Sequence, residues 1–203
     1  MNERVDTSLA DSLANVRTGK LKVDVLFAYM ERNGNSFYDE SVTELEHGLQ
    51  AAFLAKANQA TDMQVTAALL HDIGHFVMNE EAGQGNFSQE DWCHETVGAE
   101  LLELYFPDVI IESIRQHVPA KRYLCAIDSH YHEGLSPASQ NSLNLQGGKF
   151  SPAEVLEFEQ NPHLETILLV RRWDDGAKTE GLKVPGLESY RDAVESCLLA
   201  GHG

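Results

Sequence analysis

The sequence predicts an all-α protein folded as a single domain. Three observations carry that expectation. Apolar residues recur at helical spacing, as at Val23, Leu26, Phe27 and Met30. Alternating strand patterns are nearly absent. Helix-start signatures recur along the chain with short connections between them, which packs successive helices as neighbours.

The elements follow in order. The first 20 residues are polar and are expected as a tail or a short helix, with the bundle spanning residues 21–203. A helix covers Val23 to Arg32 and stops at the turn Asn33-Gly34-Asn35-Ser36. Thr43-x-x-Glu46 is a capping box opening a helix from Glu44 to Asn58. Asp62 is read as the cap of a helix running from Met63 to Val77. Ala82-Gly83-Gln84-Gly85-Asn86 reads as a flexible loop, and Ser88 as the start of a helix ending near Phe106-Pro107. Asp108 starts a helix from Val109 to His117, and Pro119 is expected to restart the chain into Ala120–Ile127. The Ser/Asn/Gln/Gly-rich run from Ser136 to Lys149 reads as an ordered loop. Ser151-Pro152-Ala153-Glu154 combines a cap, proline at the first helical position and an acid two residues later. Leu164–Lys178 and Leu187–Leu199 are the last helices.

Composition bounds the function. The chain has 203 residues, 42% of them hydrophobic and 23% charged. Fifteen Lys and Arg against 32 Asp and Glu give a formal charge of −17. Such a field repels phosphate backbones, so neither nucleic acid nor an anionic membrane is an expected partner. A small anionic substrate is not excluded, because it responds to the local field of its pocket. Three cysteines without a CxxC spacing read as reduced thiols. There is no signal-peptide pattern and no apolar run of about 18 residues, so a cytoplasmic location is expected. Oligomeric state is not legible.

The informative residues are histidines and acids. His71-Asp72 ends the apolar stretch Val65–Leu70, and Ile73, Phe76 and Val77 follow it. A carboxylate so near the interior is costly unless a cation or hydrogen bonds satisfy it. His47, His94, His117 and Asp174 each lie in a helical stretch with apolar neighbours. Taken singly, each is more often a satisfied core residue or a surface one. Together, four histidines and two carboxylates projecting from different helices into one bundle core are what two metal ions require.

The order His47, His71-Asp72, Asp174 resembles the H…HD…D pattern of the HD-domain superfamily, whose fold is an all-α bundle holding one or two metals. The flanking runs sharpen this. Thr43–Ala52, Leu69–His75, His94-Glu95-x-x-Gly98-Ala99, His117–Leu124 and Arg171-Arg172-Trp173-Asp174-Asp175-x-Ala177-Lys178 are similar to the phosphonate-cleaving HD oxygenases. The resemblance covers about Phe37 to Lys178. It implies a mixed-valence Fe(II)/Fe(III) pair with O2 as co-substrate. The implied reaction cleaves the C–P bond of an (R)-1-hydroxy-2-(trimethylammonio or amino)ethylphosphonate, giving phosphate and glycine betaine or glycine. In this reading Asp72 bridges the irons, His47, His71 and Asp174 complete one site, and His94 and His117 the other. By the same resemblance His75, Lys121 and Arg171 bind the phosphonate, and Ser139, Ser142 and Gln146 are further candidates. The family places Tyr-x-x-Glu ahead of the first ligand. Glu40 matches, but Phe37 stands at the tyrosine position with Tyr38 beside it, so Tyr38 is the candidate for the gating role. Phe37, Tyr38 and Tyr131 could instead cradle a quaternary ammonium, with Asp39 or Glu40 balancing its charge.

The competing reading is an HD phosphohydrolase acting on a nucleotide or small phosphate ester. It needs only His47, His71, Asp72 and Asp174, and leaves His94 and His117 unexplained. An inositol-type HD oxygenase shares the ligand count but has longer chains and different flanking motifs. A non-catalytic HD module has no reason to keep every ligand.

Overall fold

The computed structural model describes residues 8–36, 42–82 and 93–200. Ser8 caps a short helix, α1 (Leu9–Ala14), and Thr18 caps α2 (Gly19–Asn33). Leu9 and Leu13 are buried in the same core as Val23, Leu26, Phe27 and Met30 of α2. The Thr43–Glu46 capping box closes at both ends and opens α3 (Glu44–Ala57).

The next segment departs from the sequence expectation in two ways. Thr61, not Asp62, is the cap, and it forms a second capping box with Gln64 at the start of α4 (Asp62–Leu70). The helix then stops. His71 and Asp72 form a turn, closed by the His75 N–H to Asp72 O bond at 3.0 Å, before α5 (Ile73–Ala82) begins. In one unbroken helix adjacent side chains diverge by about 100°. The turn removes that constraint, so His71 and Asp72 can both face inward.

Ser88 lies outside the described residues; the described helix α6 runs His94–Leu102 and ends short of Phe106. Pro107 caps α7 (Asp108–Ile127), which passes through Pro119 without a restart. Proline removes only the bond to the Arg115 carbonyl. The buried residues on both sides, Ile114, His117, Val118, Ala120, Lys121 and Leu124, hold the two halves to one packing face.

Two short helices follow, one ahead of the loop expected from Ser136 to Lys149 and one that replaces most of that loop. Asp128 caps α8 (Ser129–Gly134), and Ser136 caps α9 (Pro137–Leu145) with Pro137 in its first turn. Ser151 opens α10 (Pro152–Phe158) with a complete capping box, and α11 (Leu164–Gly176) ends just before Ala177. A 3-10 turn at Leu187–Tyr190 leads into α12 (Arg191–Cys197). No β-strand occurs among the described residues, and no helix there is long and apolar enough to cross a membrane. Helices α3, α4, α7 and α11 pack on one another, and α6 bridges α5 and α7. Polar side chains from these elements meet inside the bundle.

Candidate metal centre

Each histidine is aimed by its other ring nitrogen. In α3, His47 Nδ1 faces the Ala177 carbonyl at 2.8 Å. His71 Nδ1 faces Ala68 O at 2.9 Å, and His117 Nδ1 faces Ile114 O at 2.7 Å. A carbonyl only accepts, so Nδ1 donates its proton in all three and Nε2 carries the lone pair. His94 has a carboxylate instead, with Glu95 Oε2 3.5 Å from its Nδ1.

The Nε2 atoms converge. Those of His47 and His71 are 3.2 Å apart, and those of His94 and His117 are 3.1 Å apart. Asp72 lies between the two pairs. Its Oδ2 is 3.3 Å from His47 Nε2 and 3.2 Å from His71 Nε2. Its Oδ1 is 3.3 Å from His94 Nε2 and 3.2 Å from His117 Nε2. Asp174 joins the first pair, with Oδ1 3.3 Å from His47 Nε2. All six side chains are buried.

Acceptors facing acceptors repel one another unless a cation sits among them. Asp72 Oδ2 and Asp174 Oδ1 are buried without a hydrogen-bond partner. Without a metal, protons must fill the gap. Burial opposes charge on His47, but Asp174 and Asp72 outweigh it and push its pKa up to about 10. Burial also works against an ionised Asp72, yet His71, His117 and His47 hold it well below the usual carboxylate range. Metal and protons compete for the same lone pairs. The donor set of imidazoles and carboxylates therefore fits a metal, and the two oxygens of Asp72 divide it into two halves. Ligand atoms of His47, His71 and Asp72 lie within 4.8 Å of one another, as do those of Asp72, His75 and His94.

The remaining sequence candidates fall around this centre. His75 stacks on His94 with ring centroids 3.8 Å apart. Burial first, and then the His94 charge, lowers its pKa to about 3. Lys121 is buried in α7 and donates to Ser142 Oγ at 2.8 Å. Ser139 Oγ accepts from Lys178 Nζ at 3.1 Å. Gln146 caps the end of α9 with its side-chain oxygen buried and unpartnered, and no hydrogen bond joins it to either lysine among the described residues. Arg171 pairs with Asp174 and Asp175. Tyr131 donates to Asp175 Oδ2 at 2.5 Å and accepts from Arg171 Nε at 3.2 Å. Phe37, Tyr38, Asp39 and Glu40 lie outside the described residues. Sequence reasoning gave no role to Glu95, Asp175 or Lys178. All three sit in the runs that carried the resemblance, and that adjacency was the available signal.

The HD domain family model matches residues 45–146. The chain belongs to the HD-domain family. Over 198 residues this HD-domain protein is 57% identical to a hydroxymethylphosphonate dioxygenase of Gimesia maris, covering 98% of each chain. It is 44% identical over 175 residues to a [1-hydroxy-2-(trimethylamino)ethyl]phosphonate dioxygenase (glycine-betaine-forming) of Leisingera caerulea, covering 85% of this chain and 88% of the relative. An uncharacterised protein of Acanthamoeba polyphaga mimivirus is 33% identical over 173 residues, 84% of this chain and 78% of its own. The two named relatives group this HD-domain protein with the phosphonate oxygenases.

Proposed function

We propose that the protein uses O2 to cleave the C–P bond of a small 1-hydroxyphosphonate at a pair of iron ions. His47, His71 and Asp174 would hold one ion, His94 and His117 the other, and Asp72 would bridge them. The observation that carries this reading is the division of the four imidazoles between the two oxygens of Asp72. A one-metal hydrolytic centre has no use for His94 and His117. Imidazole and carboxylate donors suit iron, and when bound the pair supplies the O2-activating redox chemistry that no side chain here can provide.

The protein's own residues bind, orient and shield. Burial of all six ligands keeps bulk water from the reacting centre. Lys121 brings a positive charge to an acidic protein at the place a phosphonate dianion needs it. Arg171 fixes Asp174 by pairing with its Oδ2 at 2.6 Å, which leaves Oδ1 facing His47.

Hydroxymethylphosphonate is the first substrate candidate, supported by the 57% identity across nearly the whole chain. Its conversion with one O2 to formate and phosphate balances in atoms. The 2-amino and 2-trimethylammonio ethylphosphonates are the next candidates. Among the described residues Tyr131 is the aromatic considered for an ammonium cage. Its hydroxyl is bound by the Arg171 guanidinium, so a second cation there would meet a like charge.

The test compares O2 uptake on these three phosphonates with the iron-loaded protein. Expected are about two iron ions per chain, O2 consumption matched by phosphate release, and the highest kcat/KM with hydroxymethylphosphonate. Phosphatase turnover with a single manganese or magnesium ion and no O2 uptake would transfer the protein to the hydrolases.

A further inference from the structure

The two halves of the centre differ in charge. The His47–His71 half shares Asp72 and has Asp174 to itself, but the Asp174 charge is divided. Arg171 lies 2.6 Å from its Oδ2, and Lys178 Nζ lies 4.0 Å from its Oδ1. The His94–His117 half has no carboxylate of its own at the Nε2 atoms, only its share in Asp72.

Glu95 stands behind that second half. It sits in the first turn of α6 and is 8% exposed. Its Oε2 is buried without a hydrogen-bond partner, 3.5 Å from His94 Nδ1. Among the described residues no lysine or arginine pairs with it. A buried carboxylate oxygen in this condition is costly. The positive end of the α6 dipole offsets part of the cost, and a cation on the far side of the His94 ring would offset more.

The other three histidines present Nδ1 to backbone carbonyls, at 2.8 Å for His47, 2.9 Å for His71 and 2.7 Å for His117. Those contacts aim the rings. His94 is aimed by another means, since its ring stacks on His75 with centroids 3.8 Å apart and 19° between the planes. At 3.5 Å the Glu95 oxygen is too distant for a good hydrogen bond, yet close enough for a strong Coulomb interaction. Glu95 therefore brings charge to His94 more than direction. An imidazole backed by a carboxylate is a stronger donor to a metal than one backed by a neutral dipole. The attraction also grows with the charge of the occupant, so it favours a dication over a proton and a trication over a dication.

We propose that Glu95, acting through His94, is the charge-compensating residue of the second metal position. It raises the affinity of that position for a cation and lowers the potential at which an iron ion there is reduced. The statement about potential deepens the oxygenase reading and rests on it for the identity of the metal; the statement about affinity does not.

The experiment titrates zinc into the metal-free full chain by calorimetry under chelator competition, and measures the midpoint potential of the iron-loaded protein anaerobically by EPR. E95Q keeps the shape and the acceptor oxygen but removes the charge. It should weaken the second zinc equivalent roughly tenfold or more and leave the first unchanged. E95D keeps the charge and should stay within a few-fold of the wild type. In a His94→Ala background E95Q should cause no further loss, because the residue it acts through is gone. In the iron-loaded protein E95Q should shift the midpoint potential upward. Wild-type affinity for the second zinc in E95Q would overturn the proposal, as would equal weakening of both zinc equivalents, a loss in E95D as large as in E95Q, or a wild type that binds one zinc only. Weakened zinc binding with an unmoved iron potential would overturn the statement about potential. If the zinc pattern holds while the iron-loaded protein consumes no O2 with any phosphonate, the role of Glu95 in binding stands and the oxygenase reading alone fails.

Discussion

Asp72 carries more of the centre than any other side chain, because its two oxygens serve different histidine pairs. Asp72→Ala should therefore empty both halves of the site, whereas His94→Ala should empty only one. Elemental analysis of the purified variants separates the cases, and a full metal load in Asp72→Ala would refute the shared role. Lys121 shows the opposite balance between stability and function. Its folded pKa of about 8 lies below the ordinary lysine value of 10.5. Folding disfavours its charged form, so the stability this group permits is complete above pH 10.5 and is lost as pH falls through 8. At pH 7 the buried charge costs on the order of 3 kcal/mol. Lys121→Met should raise the Tm of the metal-free protein at pH 7, and calorimetry should show that gain vanishing near pH 10.5. In the wild type, KM for the phosphonate should climb as pH rises through 8, because the group proposed to meet the anion is then neutral. The six convergent residues were legible as a set, through the H…HD…D resemblance and the two further histidines between its members, and not one by one. Asp175 was not legible, since an acid near a helix end is usually solvated and its partner Tyr131 is 44 positions away.

At the scale of elements, the second half of the centre depends on how closely α5 and α6 approach. A Cβ on Gly74 would lie 1.9 Å from the His94 carbonyl oxygen and 3.0 Å from Gly98 N. Backbone on both sides cannot yield as a flexible side chain would, so the helices must part. Gly74→Ala should cost several kcal/mol and move His94 away from Asp72. The expected readout is a lower Tm with metal lost first from the His94–His117 half; an unchanged Tm with a full metal load would show that the contact yields without consequence. The departures from the sequence reading also belong to this scale. Pro119 looked like a break, yet tertiary packing of α7 overrides one missing hydrogen bond. The turn at His71-Asp72 looked like helix interior, because the apolar period continues through it while the inward demand of two polar side chains does not appear in the period. Helix α9 looked like a loop by composition, since Ser, Asn and Gln are modest helix formers. Its start was nonetheless written in Ser136-Pro137, the cap-and-proline signal that was recognised at Ser151-Pro152.

The whole molecule sets a field that its own site must overcome. A formal charge of −17 surrounds a pocket that is proposed to admit a dianion. A buried local cation such as Lys121 acts within a few ångströms, whereas the acidic surface acts over the screening length. That length is about 30 Å at 0.01 M salt and about 8 Å at 0.15 M. At low salt an approaching phosphonate therefore meets the summed repulsion of the surface before it reaches Lys121. Adding sodium chloride over this range should screen the repulsion and raise kcat/KM for the phosphonate severalfold, with kcat little changed because the buried centre is shielded from bulk ions. An enzyme whose surface steers its substrate behaves in the opposite way. Measuring kcat/KM against ionic strength, with a neutral osmolyte as the control for crowding, decides between the two. A fall with added salt would mean that the positive field around Lys121 reaches past the acidic surface and already governs capture at the pocket mouth.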